Sequence, residues 1–325
     1  MESVVTMREE VVTVFGGSGF LGRHVVEELA NRGYRIRVAV RRPDLAAFLQ
    51  PLGFVGQIYA VQANVCHAGS VTQAVKGASA VVNCVGILHE TGAQKFSELL
   101  ADGAESIAKA ATQHGVKTLV QISALGANEK SNAHYSRANA EGEKRVQRAF
   151  PKAIILRPSL IFGPEDSFFN KFAFLAQFMP FLPLVGGGKT RFQPVAVNDV
   201  ARVVANAVDG AVAPGIYELG GPEIVTFKQI LQRILRETHR RRLLIPIPFA
   251  LARLKALFLQ LLPNPLLTVD QVRMLEGDYV VSEKAKRDGR TLEGLGVDPT
   301  GLAAVLPTYL WRYRKGGQFA AIELG

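Results

Sequence analysis

Residues 11–22 decide the fold of this chain, and they read VVTVFGGSGFLG. An apolar, β-branched run predicts a buried strand, and glycines then lead into a predicted helix. Gly17, Gly19 and Gly22 satisfy G-x-G-x-x-G, and a related G-x-x-G-x-x-G pattern starts at Gly16. Such a turn lets a pyrophosphate approach the backbone at a helix N-terminus. The sequence therefore predicts a dinucleotide site whose candidate contacts here are Gly16, Ser18, Gly19, Phe20, Leu21 and Gly22.

The end of the second predicted strand, residues 35–40, indicates which dinucleotide binds. It is followed by Arg41 and Arg42, and no Asp or Glu lies between Glu28 and Asp44. A carboxylate at this place holds the ribose 2′-hydroxyl of NAD, whereas a guanidinium pairs with the 2′-phosphate of NADP. We expect NADP(H), with Arg41 as the main contact. Arg42 either contributes or is only a solvated loop charge.

Composition is that of an ordered protein with room for one large α/β domain and a smaller one. The chain has 325 residues, of which 48% are hydrophobic and 20% charged. Its two cysteines, Cys66 and Cys84, argue against a disulfide scaffold and fit a reducing compartment. The N-terminal residues lack an apolar core, so we expect neither a secretory signal nor a transit peptide.

The net charge of +10 is unevenly distributed along the chain. No nucleic-acid-binding motif accompanies the basic clusters, and aromatic residues do not interleave with them, so we expect no nucleic-acid partner. An anionic membrane surface or an acidic protein is the expected partner. The clusters consist of Arg233, Arg236, Arg240, Arg241 and Arg242, and of Arg312, Arg314 and Lys315.

Strands and helices alternate along the first half of the chain. Apolar runs predict strands at 58–61, 80–85, 118–122 and 153–156, with helices predicted at 71–76, 96–114 and 135–150. This alternation predicts a Rossmann-type α/β fold, a doubly wound parallel sheet. We expect a dinucleotide-binding domain over 1–162, completed by about 195–222. A smaller, interleaved C-terminal domain is expected over 163–194 and 223–325.

Ligands of such sheets lie at the carboxyl ends of the strands. The residues that directly follow the predicted strands are therefore further candidate cofactor contacts. They are Asn64, Val65, Cys84, Val85, Gly86, Ser123, Pro158, Ser159 and Leu160.

These motifs, together with Tyr135 and residues 156–159, resemble an extended, atypical short-chain dehydrogenase/reductase. Narrower blocks are similar to one branch, the nucleotide-binding accessory subunits of respiratory complex I (alpha subcomplex, subunit 9). The blocks are residues 123–127, 140–144, 161–166, 193–195, 246–248 and 313–314. The likeness extends from about residue 11 to residue 315.

The superfamily resemblance implies a Tyr-x-x-x-Lys pair on one helix face, in which the lysine lowers the tyrosine pKa and a nearby serine polarises a carbonyl. Ser123 and Tyr135 are present, but the lysine position is Asn139. Arg137 and Lys144 lie about 200° and 180° around the helix from Tyr135 and cannot replace it. We therefore expect Ser123 and Tyr135 to be vestigial, with Tyr135 packing beside the cofactor ribose.

The branch resemblance implies an NADPH-binding, non-catalytic subunit that docks on the peripheral arm of complex I near the membrane. Its location would be the cytoplasmic face of a bacterial inner membrane, or the matrix side in a eukaryote. The alternative is a free NADP-dependent reductase or epimerase, which the retained Ser123 and Tyr135 leave open.

Three further patterns concern metal binding, a helix cap and membrane insertion. The six histidines show no metal-ligand spacing, so we expect no metal site. Asp199 is expected to cap a helix over 200–208. The apolar segment 243–262 contains two prolines and two basic residues, which argues against a transmembrane helix. It is either a helix packed on the core or a surface helix that contacts lipid headgroups or a membrane-bound partner.

Overall fold

The computed structural model describes residues 7–92, 94–262 and 265–317. Within these ranges the strands are β1 (Val11–Phe15), β2 (Arg35–Val40), β3 (Ile58–Gln62), β4 (Ala80–Asn83), β5 (Thr118–Ile122), β6 (Ile154–Pro158), β7 (Ile161–Phe162), β8 (Phe181–Val185), β9 (Arg191–Phe192), β10 (Val195–Ala196), β11 (Gly215–Leu219), β12 (Val225–Thr226) and β13 (Leu243–Ile247). The helices are α1 (Phe20–Asn31), α2 (Ala68–Val75), α3 (Gly103–Gln113), α4 (His134–Ala149), α5 (Phe168–Phe178), α6 (Val197–Val208), α7 (Phe227–Glu237), α8 (Phe249–Leu259), α9 (Val269–Met274), α10 (Glu283–Arg287) and α11 (Leu302–Leu310).

Seven parallel strands form the central sheet in the order β11-β6-β5-β4-β1-β2-β3. Strand β1 lies at its centre, where Val14 pairs with Val38 on β2 and with Val82 on β4. Because every pairing in this sheet is parallel, all seven carboxyl ends meet at one edge. The predicted Rossmann-type, doubly wound α/β fold is confirmed.

Apolar side chains bury both faces of the sheet. Helices α1 and α6 cover one face, with Val26 and Val203 fully buried among the strand valines. Helices α2, α3 and α4 cover the other face, where Ile107 and Val146 are fully buried. The near-continuous valine and isoleucine runs of the strands are what a sheet covered on both faces requires.

The chain leaves the sheet after β6 and returns to it later. Residues 215–219 form the seventh strand, β11, which pairs with β6. Parts of the intervening chain and of the chain after 222 supply a separate core around the fully buried Phe162, Phe169 and Ile230. The segments that form the central sheet and those that form this second core therefore alternate along the chain.

Two local predictions were inaccurate. The predicted helix 96–114 starts with a π-helical segment, Ser97–Asp102, before α3. Asp199 does not cap its helix, because α6 starts at Val197 and Ala196 is the N-cap. The buried apolar face extends back to Val197, so the helix gains almost a turn. The Asp199 carboxylate is instead fully buried and accepts hydrogen bonds from Thr300 N at 2.6 Å and Thr300 Oγ1 at 2.9 Å.

The apolar segment 243–262 divides at Pro248 into β13 and α8. Strand β13 pairs in parallel with β8. Helix α8 buries Ala252 and Ala256, but leaves Leu254 53% and Phe258 70% exposed. Among the described residues, no helix is long and apolar enough to cross a membrane.

Candidate dinucleotide site

The glycine turn between β1 and α1 is built on close backbone contacts. Gly16 has φ +71°, and a Cβ there would lie 3.0 Å from the Cys84 carbonyl carbon. A Cβ on Gly22 would lie 2.2 Å from the Gly16 carbonyl oxygen. Neither position can accept a larger side chain without moving backbone. These two glycines therefore hold the end of β1, the loop after β4 and the start of α1 together.

Gly19 differs because its surroundings are open. It is exposed, and a Cβ there would meet only the Gly16 carbonyl oxygen, at 3.2 Å. Gly19 is the N-cap of α1, provides no capping side chain, and is followed by no acidic residue in the first turn. The first amides of a helix have no intrahelical acceptor. This positive helix end therefore fits a pyrophosphate.

Arg23 lies at the mouth of this turn and was missed by the sequence analysis. Its guanidinium stacks on the Phe48 ring, 4.9 Å from the centroid, and donates to the Gly19 carbonyl at 3.4 Å. It also lies 3.7 Å from a Glu165 carboxylate oxygen. Its position directly after Gly22 could have indicated from the sequence that Arg23 lies beside the turn.

The two arginines that follow β2 have different surroundings. Arg42 is exposed and pairs with Asp44, with Nη2 2.9 Å from Oδ2. Arg41 is also exposed but makes no ion pair among the described residues. Its charge opposes the rise in the pKa of Cys66, which burial causes and Glu98 and Asp102 reinforce. Arg41 therefore has its guanidinium free at the carboxyl end of β2, next to the end of β3.

The loops after β3 and β4 contain five predicted contacts. The Asn64 side chain accepts from the Cys66 amide at 3.1 Å, and Val65 is buried against Gly103. Cys84 is partly exposed as a residue, and desolvation of its thiol raises the pKa to about 12. A Cβ on Gly86 would meet nothing within 4 Å. Val85, which lies between Cys84 and Gly86, donates its amide to the Asn83 side chain at 3.1 Å. The topology brings these loops to the same sheet edge as the glycine turn.

Ser123 follows β5, and its hydroxyl is used inside the protein. It donates to Glu143 Oε1 at 2.5 Å. The same carboxylate accepts two bonds from Arg157, at 2.8 and 2.5 Å. Glu143 is only 4% exposed, so this is a buried, charge-assisted network. Glu143 was missed because only the fold brings α4 next to the ends of β5 and β6.

Tyr135 lies in the first turn of α4 and packs edge-to-face on Phe96, with the ring centroids 5.6 Å apart. Burial raises the pKa of Tyr135 above 10.0, and the Asn139 amide opposes this rise without reversing it. Asn139 is itself 6% exposed and donates to the Tyr135 carbonyl at 2.9 Å. No positive side chain among the described residues lowers this pKa.

The two cations weighed as substitutes for the missing lysine form contacts away from Tyr135. Arg137 donates to the Ser131 carbonyl at 2.6 Å, and Lys144 pairs with Glu129 at 2.7 Å. The helix therefore carries Tyr135 without the cation that would prepare it for proton transfer.

The residues after β6 connect the sheet to the second core. Ser159 Oγ donates to the Tyr279 carbonyl at 2.8 Å, and its amide donates to the Leu219 carbonyl at 2.9 Å. The Leu160 carbonyl accepts from the Val195 amide at 3.0 Å. Pro158 ends β6, and its carbonyl accepts from Leu125 at 2.9 Å. The hydroxyl of Ser159 therefore already has a hydrogen-bond acceptor within the protein.

Comparison with known proteins agrees with this geometry. A family model described as NAD(P)H-binding matches residues 16–210. NADH dehydrogenase (ubiquinone) 1 alpha subcomplex subunit 9 from Arabidopsis thaliana is 34% identical over 94% of this chain and 79% of its own length. Its counterpart from Rattus norvegicus is 35% identical over 94% of this chain and 80% of its own length. This chain belongs to the alpha subcomplex subunit 9 family.

The resemblance predicted for the chain is thus confirmed, and so is its NAD(P)H-binding domain. A solved dTDP-glucose 4,6-dehydratase from Streptomyces venezuelae with NAD bound shares the fold of this subunit 9 family member. The TM-score is 0.71 at 19% identity, over 94% of this chain and 96% of the other. At that identity the likeness concerns the fold alone.

Proposed function

We propose that this protein is an NADP(H)-binding accessory subunit of respiratory complex I that performs no turnover of its own. The observation that carries the proposal is the contrast between an intact glycine turn and an altered helix face. Gly16, Gly19 and Gly22 keep the cradle for a pyrophosphate, whereas Asn139 bonds its own helix where a cation is needed. The relatives' names support assembly into the same complex.

Bound NADPH would supply a hydride, and reduction of a carbonyl would also require a protein acid. Tyr135 is the candidate acid, but burial raises its pKa and no described cation counteracts this. Ser123, the candidate partner, donates to Glu143. Neither hydroxyl is prepared for general acid catalysis, which commonly contributes about 10²–10⁴-fold to an enzyme's rate.

Arg41 supports the choice of NADP(H) over NAD(H). Its guanidinium has no ion-pair partner among the described residues at the end of β2, where a 2′-phosphate lies in this fold. Arg42 is already paired with Asp44 and contributes less. We extend the proposed cofactor contacts to the loops after β3, β4 and β6 and to the backbone at Ser123, whose hydroxyl is bonded to Glu143. Arg23 is added at the glycine turn.

Helix α8 supports docking near a membrane. We assign it to the smaller domain, residues 163–194 and 223–325, which is distinct from the dinucleotide-binding domain, residues 1–162 with 195–222. The outer side of α8 exposes apolar residues and carries Lys255, and also Arg253, whose charge is paired with Glu276 at 2.7 Å. An apolar surface with basic residues suits an anionic lipid surface. The exposed apolar residues on α8 and directly after it are Leu251, Leu254, Leu257, Phe258, Leu261 and Leu262.

Several arginines of this smaller domain donate hydrogen bonds to backbone carbonyls within it. Arg240 donates to the Tyr313 carbonyl at 2.9 Å, Arg242 to the Ala176 carbonyl at 2.9 Å, and Arg314 to the Glu237 carbonyl at 2.7 Å. Because carbonyl oxygens are neutral, these contacts do not cancel the charges of Arg240 and Arg242. Arg314 differs, since its Nη2 also lies 4.0 Å from a Glu237 carboxylate oxygen. Arg233, by contrast, is neutralised by Glu223 at 2.6 Å.

Co-purification tests the proposed assembly. The tagged protein, extracted from its own membranes in mild detergent, is expected to co-migrate with complex I activity and to carry NADPH. The location would then be the cytoplasmic face of a bacterial inner membrane, or the matrix side in a eukaryote. A protein that ran only as a free monomer or homodimer would exclude the subunit assignment.

Vesicle sedimentation tests the lipid contact separately. Phosphatidylglycerol-containing vesicles are expected to bind the unmodified protein, and Phe258→Glu with Leu254→Glu is expected to weaken binding at least tenfold. Phe54→Glu with Val55→Glu is the matched control, because it adds the same two charges at exposed apolar residues that lie far from α8 in the chain. Equal binding by all three proteins would contradict a role for α8.

A further inference from the structure

The N-terminus of α4 is capped by a residue from a distant part of the chain. Its N-cap, Ala133, has no capping side chain, and its first turn contains no acidic residue. The Asp270 carboxylate takes that place: Oδ1 accepts from His134 N at 2.6 Å and Oδ2 accepts from Tyr135 N at 3.0 Å. A carboxylate is favoured at a helix N-terminus by both hydrogen bonding and the helix dipole.

Asp270 belongs to α9, and α9 also contacts a second loop of the dinucleotide site. Gln271 Nε2 donates to the Leu88 carbonyl at 3.3 Å. Leu88 lies two residues after Gly86, in the loop that follows β4. Thr268 and Gln271 form a capping box that fixes the start of α9. One short helix therefore holds both α4 and the loop after β4.

The other side of α9 packs on α8. Val272 is fully buried in a cluster with Ala252 and Ala256 of α8. Arg253 on α8 pairs with Glu276, directly after α9, at 2.7 Å. Helix α9 thus lies between the dinucleotide site and the exposed apolar helix.

We propose that Asp270 is a positioning residue that couples occupancy of the dinucleotide site to the order of α8. The inference rests on the proposed function for its ligand. A bound nucleotide restrains the first turn of α4 and the loop after β4. Because Asp270 is hydrogen-bonded to that turn, its helix α9, and α8 packed on α9, also become less mobile. Because coupling between sites is reciprocal, any surface that immobilises α8 also strengthens nucleotide binding.

Hydrogen exchange of the full chain, with and without saturating NADPH, tests this coupling. In the unmodified protein NADPH is expected to slow exchange in α8 and α9 at least about fivefold. Asp270→Ala is expected to bind NADPH but to lose this slowing in α8. Asp270→Asn, which keeps one acceptor oxygen, is expected to retain part of it. A residue that was only structural would speed exchange with and without NADPH and leave their ratio unchanged.

Asp278→Ala is the matched control, since Asp278 bonds Arg191 in the same region and is not bonded to α4. It is expected to keep the full slowing. Persistence of the slowing in Asp270→Ala would overturn the coupling, as would its absence in unmodified protein with NADPH bound. Failure of the unmodified protein to bind NADPH would instead overturn the proposed function, and the coupling with it.

Discussion

The Ser123 hydroxyl donates a 2.5 Å hydrogen bond to the Glu143 carboxylate, which also holds Arg157. The serine that resembles a catalytic residue is therefore part of a buried ion-pair network. In that network the Ser123 hydroxyl provides a hydrogen bond to a carboxylate oxygen that is buried away from water. Its preservation in this sequence is explained by structure without any reaction.

Changes in this network are expected to affect stability and not ligand affinity. Ser123→Ala removes one hydrogen bond to a charged group and is expected to cost about 1.5–3 kcal/mol. Glu143→Gln leaves the Arg157 charge poorly compensated and is expected to cost about 3–5 kcal/mol. Urea unfolding and an NADPH titration measure the two effects. Loss of NADPH affinity in Ser123→Ala, with unchanged unfolding, would place the hydroxyl in the site instead.

Cofactor choice is expected to depend on Arg41. NADPH should bind at least tenfold more tightly than NADH, which corresponds to about 1.4 kcal/mol. Arg41→Ala is expected to remove most of that preference, because it deletes the charge that faces the 2′-phosphate. Arg42→Ala is the control and should change the ratio little, since Arg42 is paired with Asp44. Equal affinities for the two nucleotides in the unmodified protein would refute the assignment.

Blocking the glycine turn is expected to abolish binding without unfolding the chain. Gly19 is exposed, so a Trp side chain at position 19 can project from the protein surface without a clash inside the fold. There it would fill the space expected for the pyrophosphate. Saturation at 100 times Kd stabilises the unmodified protein by about 2.7 kcal/mol, and Gly19→Trp is expected to lose this NADPH-dependent rise in Tm. Gly277→Trp, at another open glycine, should keep it. A normal NADPH response in Gly19→Trp would rule out this turn as the binding site.

Tyr135→Phe is expected to leave nucleotide binding and assembly nearly unchanged. The substitution removes one hydroxyl whose pKa is raised by burial and lowered by no described cation. Stopped-flow measurement of NADPH oxidation with a panel of carbonyl compounds checks this, with membrane attachment followed in parallel. If Tyr135→Phe abolished a measurable reductase activity while assembly stayed intact, the free-enzyme alternative would replace the subunit assignment.

Acid is expected to weaken the contact between α1, β2 and α6 through Asp209. Burial raises the pKa of this carboxyl, but hydrogen bonds from Tyr34 and Arg32, both at 2.6 Å, outweigh burial and hold the pKa below 3.8. A depressed folded-state pKa means that the stabilisation is complete above about pH 4 and is lost as the pH falls through the folded value.

Asp209→Asn therefore tests this contact by its pH dependence. The variant is expected to be less stable than the unmodified protein by about 1–3 kcal/mol at pH 7, with a smaller gap at pH 3. Urea unfolding at both pH values measures the gap. A gap that stayed constant between pH 7 and pH 3 would show that the Asp209 charge contributes nothing.

Local sequence patterns predicted the alternating strands and helices of the first half of the chain, because each element there carries its own signal. Beyond residue 163 the period is weaker, and of the elements there only α6 and a helix within residues 243–262 were predicted individually. The period of apolar residues placed α4 within one residue at each end, and the glycine spacing placed the turn before α1. Side-chain partners that the fold brings together had no such signal. Asp270 bonds an amide 136 positions earlier, and Glu143 bonds residues on two other elements. No local period encodes such pairings, since they depend on how the strands are ordered.

Strand β11 is made long after β6, the strand with which it pairs in the central sheet. Until residues 215–219 leave the ribosome, β6 has an unpaired edge, and an exposed edge of this kind can pair with another chain. The nascent chain is therefore expected to expose this edge until β11 has been made, since β7–β10 pair in other sheets. A fragment that stops near residue 162 would keep the whole glycine turn and yet remain prone to aggregation. Expression of the proposed dinucleotide-binding domain alone is therefore expected to require residues up to about 222 in the same polypeptide.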